Sequence, residues 1–181
     1  MPGWVSVQEA QFDALHRTMA DEVYRFAARR TSHATAEEVT AEVFMALWTG
    51  RHKIPEPPDE QRAWVFGVAR RQLLRAQAAE ERHRTIGARV RAALGVGAPV
   101  VEEDVALDVL ETHAARRLWD QLPVRDQEVL ALTAWEGLTP AQVAAVLGVS
   151  ITAVTTRLHR ARRHLADLQQ SPHEDTAGDR S

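Results

Sequence analysis

Apolar residues recur at three- and four-residue steps along most of the chain, the spacing of amphipathic helices. Phe12, Leu15, Met19, Val23 and Phe26 form one such stripe. Thr35, followed three residues later by Glu38, has the spacing of a capping box and opens a second helix. That helix carries Val39, Val43, Phe44, Leu47 and Trp48, and Gly50 is placed to end it. Pro55, Pro57 and Pro58 exclude a continuous helix through IPEPPDE, which reads as a loop. A third long helix starts near Gln61 or Arg62, with Trp64, Val65, Val68, Ala69, Leu73 and Leu74 apolar and strongly basic later turns.

From about Ile86 to Asp108 the periodicity weakens, and Gly95, Gly97 and Pro99 break any helix there. Leu118, Leu122, Val129, Leu130 and Leu132 then mark two further helices, divided near Pro123, and Gly137 stops the second. The segment LTPAQVAAVLGVSITAVTTRLHRARRHL carries the most information. Thr139 caps a short helix with Pro140 at its first position and Gln142 completing the box. Gly148 supplies a tight turn, Val149 plugs the angle between the helices, and Ser150 caps a second helix running to about Leu165. This is the order of parts in a helix-turn-helix. In the second helix Val154, Leu158, Ala161 and Leu165 are spaced four, three and four apart and share an inward face. Thr152, Thr155, Thr156, His159 and Arg163 occupy much of the other side. Short hydroxyls near a helix start approach base edges closely, and arginines reach phosphates or guanine edges. The same pattern also fits an antiparallel helix pair with a basic outer face and no ligand.

The expected architecture is therefore all-α, two small helical domains joined by a flexible linker, the C-terminal one containing the helix-turn-helix. The boundaries are residues 7–84, a linker over 85–112, a second domain over 113–168 and a polar, disordered tail over 169–181.

Charge sharpens this picture. The formal net charge is −3, from 22 basic and 25 acidic residues, but the signs are segregated. Arg62, Arg70, Arg71, Arg75, Arg82, Arg84, Arg89 and Arg91 are opposed only by Glu80 and Glu81 within their stretch. Glu102, Glu103, Asp104, Asp108 and Glu111 form an acidic run, and Arg157, Arg160, Arg162 and Arg163 cluster with His159 and His164. These blocks read either as sites or as solvated helix faces. Trp64 lies on or near the face of Val65 and Val68, which need a core; the alternative is a ring that stacks on bases beside Arg70, Arg71 and Arg75.

Several chemistries drop out. The chain has no cysteine, so disulfides, thiolate metal sites and a cysteine nucleophile are excluded. The eight histidines are scattered, none in the HExxH spacing. GVGAP lacks the glycine spacing and strand–helix setting of a phosphate loop. No stretch approaches the ~20 apolar residues that span a bilayer, and the first residues lack the layout of a signal peptide. The expectation is a cytoplasmic, non-catalytic protein without cofactor, metal or stable membrane insertion.

Taken together, the chain resembles a bacterial RNA polymerase sigma factor of the extracytoplasmic-function group of the sigma-70 family. Three stretches carry the resemblance. FDALHRTMADEVYRFAARRT with TAEEVTAEVFMALW is similar to the regions that bind the polymerase core. RAWVFGVARRQLL is similar to the region that melts and reads the −10 element, and LPVRDQEVLALTAWEGLTPAQVAAVLGVSITAVTTRLHRARRHL to the domain that reads the −35 element. The resemblance implies a transcription initiation factor that binds polymerase core and directs it to promoters. It places Glu38 and Glu42 on the clamp helices of the largest polymerase subunit, with Phe44 and Trp48 packing the core of the domain. It places Arg62, Trp64, Arg70, Arg71 and Arg75 at the −10 element, with the loop from about Arg51 to Glu60 holding a flipped-out base. It places Ser150, Thr152, Thr155, Thr156, Arg157, His159, Arg160 and Arg163 at the −35 element. The implied partners are polymerase core, through those clamp helices and the flap of the second-largest subunit, promoter DNA and an anti-sigma factor. The acidic run Glu102–Asp108 reads as a phosphate mimic in the polymerase channels or as a solvated linker.

The chain departs from the family pattern at several positions. Ala41 stands where a glutamine is frequent, Arg71 and Arg75 where asparagine and aspartate are common, Ala153 for threonine and Thr155 for lysine. These changes alter individual contacts and make a family promoter consensus untransferable. The competing readings are a stand-alone helix-turn-helix regulator acting without polymerase, an adaptor that mimics a sigma factor, and an enzyme.

Overall fold

The computed structural model describes residues 7–94 and 113–170. Among the described residues the chain is helical throughout, with α1 (Val7–Ala28), α2 (His33–Thr49), a short 3-10 helix (Arg51–Lys53), α3 (Pro58–Leu94), α4 (His113–Asp120), α5 (Val124–Ala134), α6 (Pro140–Leu147) and α7 (Ile151–Gln170). It divides into two compact units, one containing α1–α3 and the other α4, α5, α7 and the start of α6. The expected linker residues 95–112, with the acidic run, and the tail beyond residue 170 lie outside the described residues.

The first unit is a three-helix bundle in which each helix buries one stripe. Leu15, Met19, Val23 and Phe26 from α1 meet Val39, Val43, Phe44 and Leu47 from α2 and Val65, Phe66, Val68 and Leu73 from α3, all buried. Phe66 is fully buried, and its ring meets Phe26 edge-on at 5.6 Å between centroids. The helices are also tied by polar side chains. Arg30 sits over the Phe26 ring at 4.0 Å, and the Gln77 amide donates to the Arg30 carbonyl at 3.2 Å.

Three sequence expectations change here. The N-cap of α2 is Ser32, whose hydroxyl accepts from the Thr35 backbone N–H, so Thr35 lies inside the helix. Its hydroxyl instead donates to Glu80 of α3 at 2.6 Å. Helix α3 begins at Pro58, because a proline at the first helical position loses no hydrogen bond. It also continues to Leu94, past the boundary expected at residue 84. The weak apolar periodicity there reflects a helix with nothing to bury: residues 80–86 are all exposed. Finally, Trp48 does not join the core. It is 40% exposed, edge-on to Phe12 at 5.0 Å with Arg51 over its ring, whereas Phe44 is buried as expected.

In the second unit Leu122, Val129, Leu130 and Leu132 pack with Val154, Leu158 and Ala161 of α7, all buried. Pro123 divides α4 from α5, and the Gln127 amide closes the corner by donating to the Trp119 and Leu122 carbonyls. Trp119 and Trp135 stack at 4.8 Å. Gly137, at φ +64°, lets the chain reverse after α5.

Two stability predictions follow from this packing. Phe66→Ala, which empties the centre of the first unit, is expected to cost about 3–5 kcal/mol in chemical denaturation monitored on the full chain. Gly148 has φ +66°, but a Cβ added there meets nothing within 4 Å. Gly148→Ala should therefore cost only backbone strain, about 1 kcal/mol, read as a lowered denaturation midpoint.

Candidate nucleic-acid and polymerase interfaces

The turn between α6 and α7 is assembled from local chemistry. The Thr139 hydroxyl accepts from the Gln142 N–H, and the Gln142 side chain accepts from the Thr139 N–H, a complete capping box. Gly148 in the left-handed region ends α6, and the Ser150 hydroxyl accepts from the Ala153 N–H at 3.1 Å to start α7. The two helices bend by 109° at this break, within the range of a helix-turn-helix. Ser150 is thus occupied as a cap; its hydroxyl sets where the second helix begins.

Burial fixes the orientation of α7. Val154, Leu158 and Ala161 are buried and Leu165 is half-buried, as the spacing predicted. At roughly 100° per residue the opposite side presents Thr152, Thr156, His159 and Arg163, again spaced four, three and four apart. All four are exposed, as is Thr155 beside them. The Thr155 hydroxyl donates back to the Ile151 and Thr152 carbonyls, leaving its oxygen as an acceptor. Thr156, His159, Arg160 and Arg163, with His164 and Asp167, line a shallow hollow of about 430 Å³ along α7. Arg157 flanks the buried stripe and is half-buried.

Arg160 is engaged within the unit. Its Nε donates to Asp126 Oδ2 at 2.9 Å and its Nη2 to Oδ1 at 2.5 Å, a two-pronged pair that draws the guanidinium toward α5. The Asp126 side chain is 1% exposed. Hydrogen bonding to Asp126, reinforced by its charge, raises the Arg160 pKa above the usual arginine value. A forked donor committed to one carboxylate fixes helix position, and Arg160 stays exposed beside His159 and Arg163 while it does so. Asp126 was missed because a single acid in a helix gives no signal of its partner on another helix.

The α3 candidates also separate. The Arg62 Nη1 pairs with Glu22 Oε2 at 2.7 Å, and its guanidinium lies 5.3 Å from the Phe66 centroid. Arg62 is therefore half-buried and turned toward Glu22 of α1. Trp64 is half-buried, with its Cζ2 3.7 Å from where a Cβ on Gly50 would lie, so neither a fully buried nor a fully displayed ring describes it. Arg70 is half-buried, whereas Arg71 and Arg75 are exposed. Trp64, Arg71 and Arg75, spaced seven and four apart, fall within roughly 40° of one another around the helix. The preceding loop is shaped by Gln61, whose amide donates to the carbonyls of Pro55 and Glu56.

On α2, Glu38 and Glu42 are both exposed and one turn apart. The same edge continues to Met45, which is 62% exposed and which sequence reasoning passed over. The signal was present: within the apolar run VFMALW, residue 45 falls off the buried stripe of Val39, Val43 and Leu47. Among the described residues no cluster of histidine, aspartate or glutamate is arranged to hold a metal. No single described helix is long and apolar enough to cross a membrane.

Comparison with known proteins matches both units. Residues 15–83 fit the Sigma-70 region 2 family and residues 112–165 fit Sigma-70, region 4. The ECF RNA polymerase sigma factor SigL of Mycobacterium tuberculosis (strain H37Rv) is 28% identical over 164 residues, covering 90% of this chain and 91% of SigL. The RNA polymerase sigma factor CnrH of Cupriavidus metallidurans is 31% identical over 147 residues, 76% of this chain and 75% of CnrH. Among solved structures, the sigma factor RpoE in complex with the anti-sigma factor NepR, from Bartonella quintana, has the same fold with a TM-score of 0.57. That likeness covers 90% of this chain and 99% of RpoE at 20% identity. The sigma-70 family is not a class of enzymes, and its two regions occur here in the order α1–α3, then α4–α7. The chain belongs to the extracytoplasmic-function group of the sigma-70 family, transcription initiation factors that direct RNA polymerase to promoters.

Proposed function

We propose that this protein selects promoters through two separate readers, with α7 at the −35 element and the first half of α3 at the −10 element. The observation that carries this reading is the division of α7 into a buried stripe and an exposed row of Thr152, Thr156, His159 and Arg163. A major groove admits such a helix, and threonine hydroxyls and an arginine fork supply the donors and acceptors that distinguish base edges. Thr155 and Arg157 flank the row, Ser150 fixes its start as an N-cap, and Arg160 holds the helix through Asp126.

At the −10 element Trp64, Arg71 and Arg75 form the outward row, with Arg70 beside them and Arg62 positioning α3 through Glu22. An aromatic ring beside arginines suits a separated strand, whose bases expose both faces and edges. Glu38 and Glu42 dock on the clamp helices of the largest polymerase subunit, with Met45 adding apolar contact on the same edge, and the second unit meets the flap of the second-largest. An anti-sigma factor is proposed as regulator, because RpoE, which shares the fold, is seen with NepR. The site of action is the cytoplasm.

The test is in vitro transcription with core polymerase on a library of promoter fragments, where addition of this protein should redirect initiation to a defined subset. Arg163→Ala is expected to weaken −35-dependent initiation by about 1–3 kcal/mol and to relax base preference at one position. Equal losses on every sequence would move Arg163 from base edge to phosphate. Glu42→Lys should reduce co-purification with core polymerase while leaving the helical circular dichroism and thermal midpoint unchanged. Wild-type recovery of that variant would remove the acidic edge of α2 from the docking surface.

A further inference from the structure

Helix α3 continues to Leu94, and residues 80–86 are exposed on every side. A helix segment that buries nothing gains little from packing, so its side chains are free to serve another surface. Arg75, Arg82 and Arg89 lie seven residues apart along it, and Arg71 lies one turn before Arg75. Seven residues fall about 20° short of two full turns. The four arginines therefore share one face within roughly 40°, and all four are exposed. The acids of this stretch lie off that face and are engaged elsewhere: Glu80 accepts from Thr35 and Glu81 pairs with Arg84. Among the described residues no acid pairs with Arg71, Arg75, Arg82 or Arg89, and the one side-chain hydrogen bond in the row runs from Arg75 to Gln72. From Arg71 to Arg89 the row is about 27 Å long, the length of roughly eight base pairs of duplex.

We infer that this row is one continuous track for a DNA phosphate backbone, in which Arg82 and Arg89 grip the duplex between the −35 and −10 elements. The inference rests on the −10 and −35 reading above. Side-chain composition along the helix separates the row into two parts. Trp64 heads it, but after Phe66 α3 contains no tryptophan, tyrosine or phenylalanine. Aromatic rings are what hold unstacked bases of a single strand. Arginines alone, evenly spaced and sharing one face, suit an unopened backbone, whose phosphates carry no sequence information but fix register. Chain order is consistent with this: Arg82 and Arg89 follow the proposed −10 reader in sequence and precede the unit proposed for the −35 element.

The experiment compares the full-length protein with Arg82→Ala/Arg89→Ala in polymerase holoenzyme, measuring promoter affinity across a salt series. The double variant should lose affinity by the same factor on every promoter and flatten the slope of log K against log salt by about 2, with start sites unchanged. On a template truncated just upstream of the −10 element, wild-type and variant should bind alike. A wild-type slope for the variant, while the unmodified protein still directs initiation, overturns the track alone. A deficit that persists on the truncated template, or appears as loss of core binding without DNA, assigns the row to another partner and also overturns it. Failure of the unmodified protein to redirect initiation overturns both this inference and the reading beneath it.

Discussion

The burial of one face of α7 against its own unit is the constraint on which the second unit's function depends. Val154, Leu158 and Ala161 have no exposed alternative that leaves the unit folded, and each is at most 5% exposed. Rotating α7 by a single residue would turn about 100° of its surface and withdraw Thr152, Thr156, His159 and Arg163 from the outer face. The Asp126–Arg160 pair adds an orientational restraint to this non-directional one. A forked guanidinium on a buried carboxylate tolerates little rotation of either helix. Hydrophobic burial thus selects which side faces out, and the ion pair narrows the angle at which it is presented.

The first unit solves a different problem, since a single helix must both complete a core and present cations. Helix α3 does so along its length. Ala63, Val65, Phe66, Val68, Ala69 and Leu73 are buried in its first half, while Arg71 and Arg75 lie on its outward face. Arg62 lies nine residues before Arg71, about 180° around the helix, and on that side its guanidinium is held by Glu22 and lies near the Phe66 ring. The arginines of α3 are therefore not equivalent, and the face each occupies decides whether it meets the bundle or solvent.

The local grammar of the chain was legible wherever a signal and its partner lie within one turn. The Thr139–Gln142 box, the Gly148 turn, the Ser150 cap and the buried stripe of α7 all follow from spacing alone. Errors cluster where the partner is distant in sequence or where two local signals compete. Ser32 and Thr35 are both good caps, and the choice fell to Ser32 because Thr35 reaches Glu80 across the bundle. The pairs Asp126–Arg160 and Arg62–Glu22 join different helices, so charge clustering along the chain could not reveal them. The apolar pattern of α2 and the family resemblance point Trp48 into the core, yet it lies at the rim, where Phe12 and Arg51 cover only part of its ring.

On the proposed reading, two small cationic faces on separate units explain how modest individual contacts yield selectivity. Each face neutralises only a few phosphates, and affinity from such contacts falls steeply with salt. Held by one polymerase, the second face binds at the effective concentration set by its tether, so the gains multiply without any new contact. A phosphate track along α3 strengthens this arrangement in a specific way. On the proposed reading it adds attraction that is indifferent to sequence, and so leaves discrimination to Thr152, Thr156, His159 and Arg163 at one end and to Trp64 at the other. Uniform attraction of this kind fixes register along the duplex, which base-reading side chains need before their own hydrogen bonds can form.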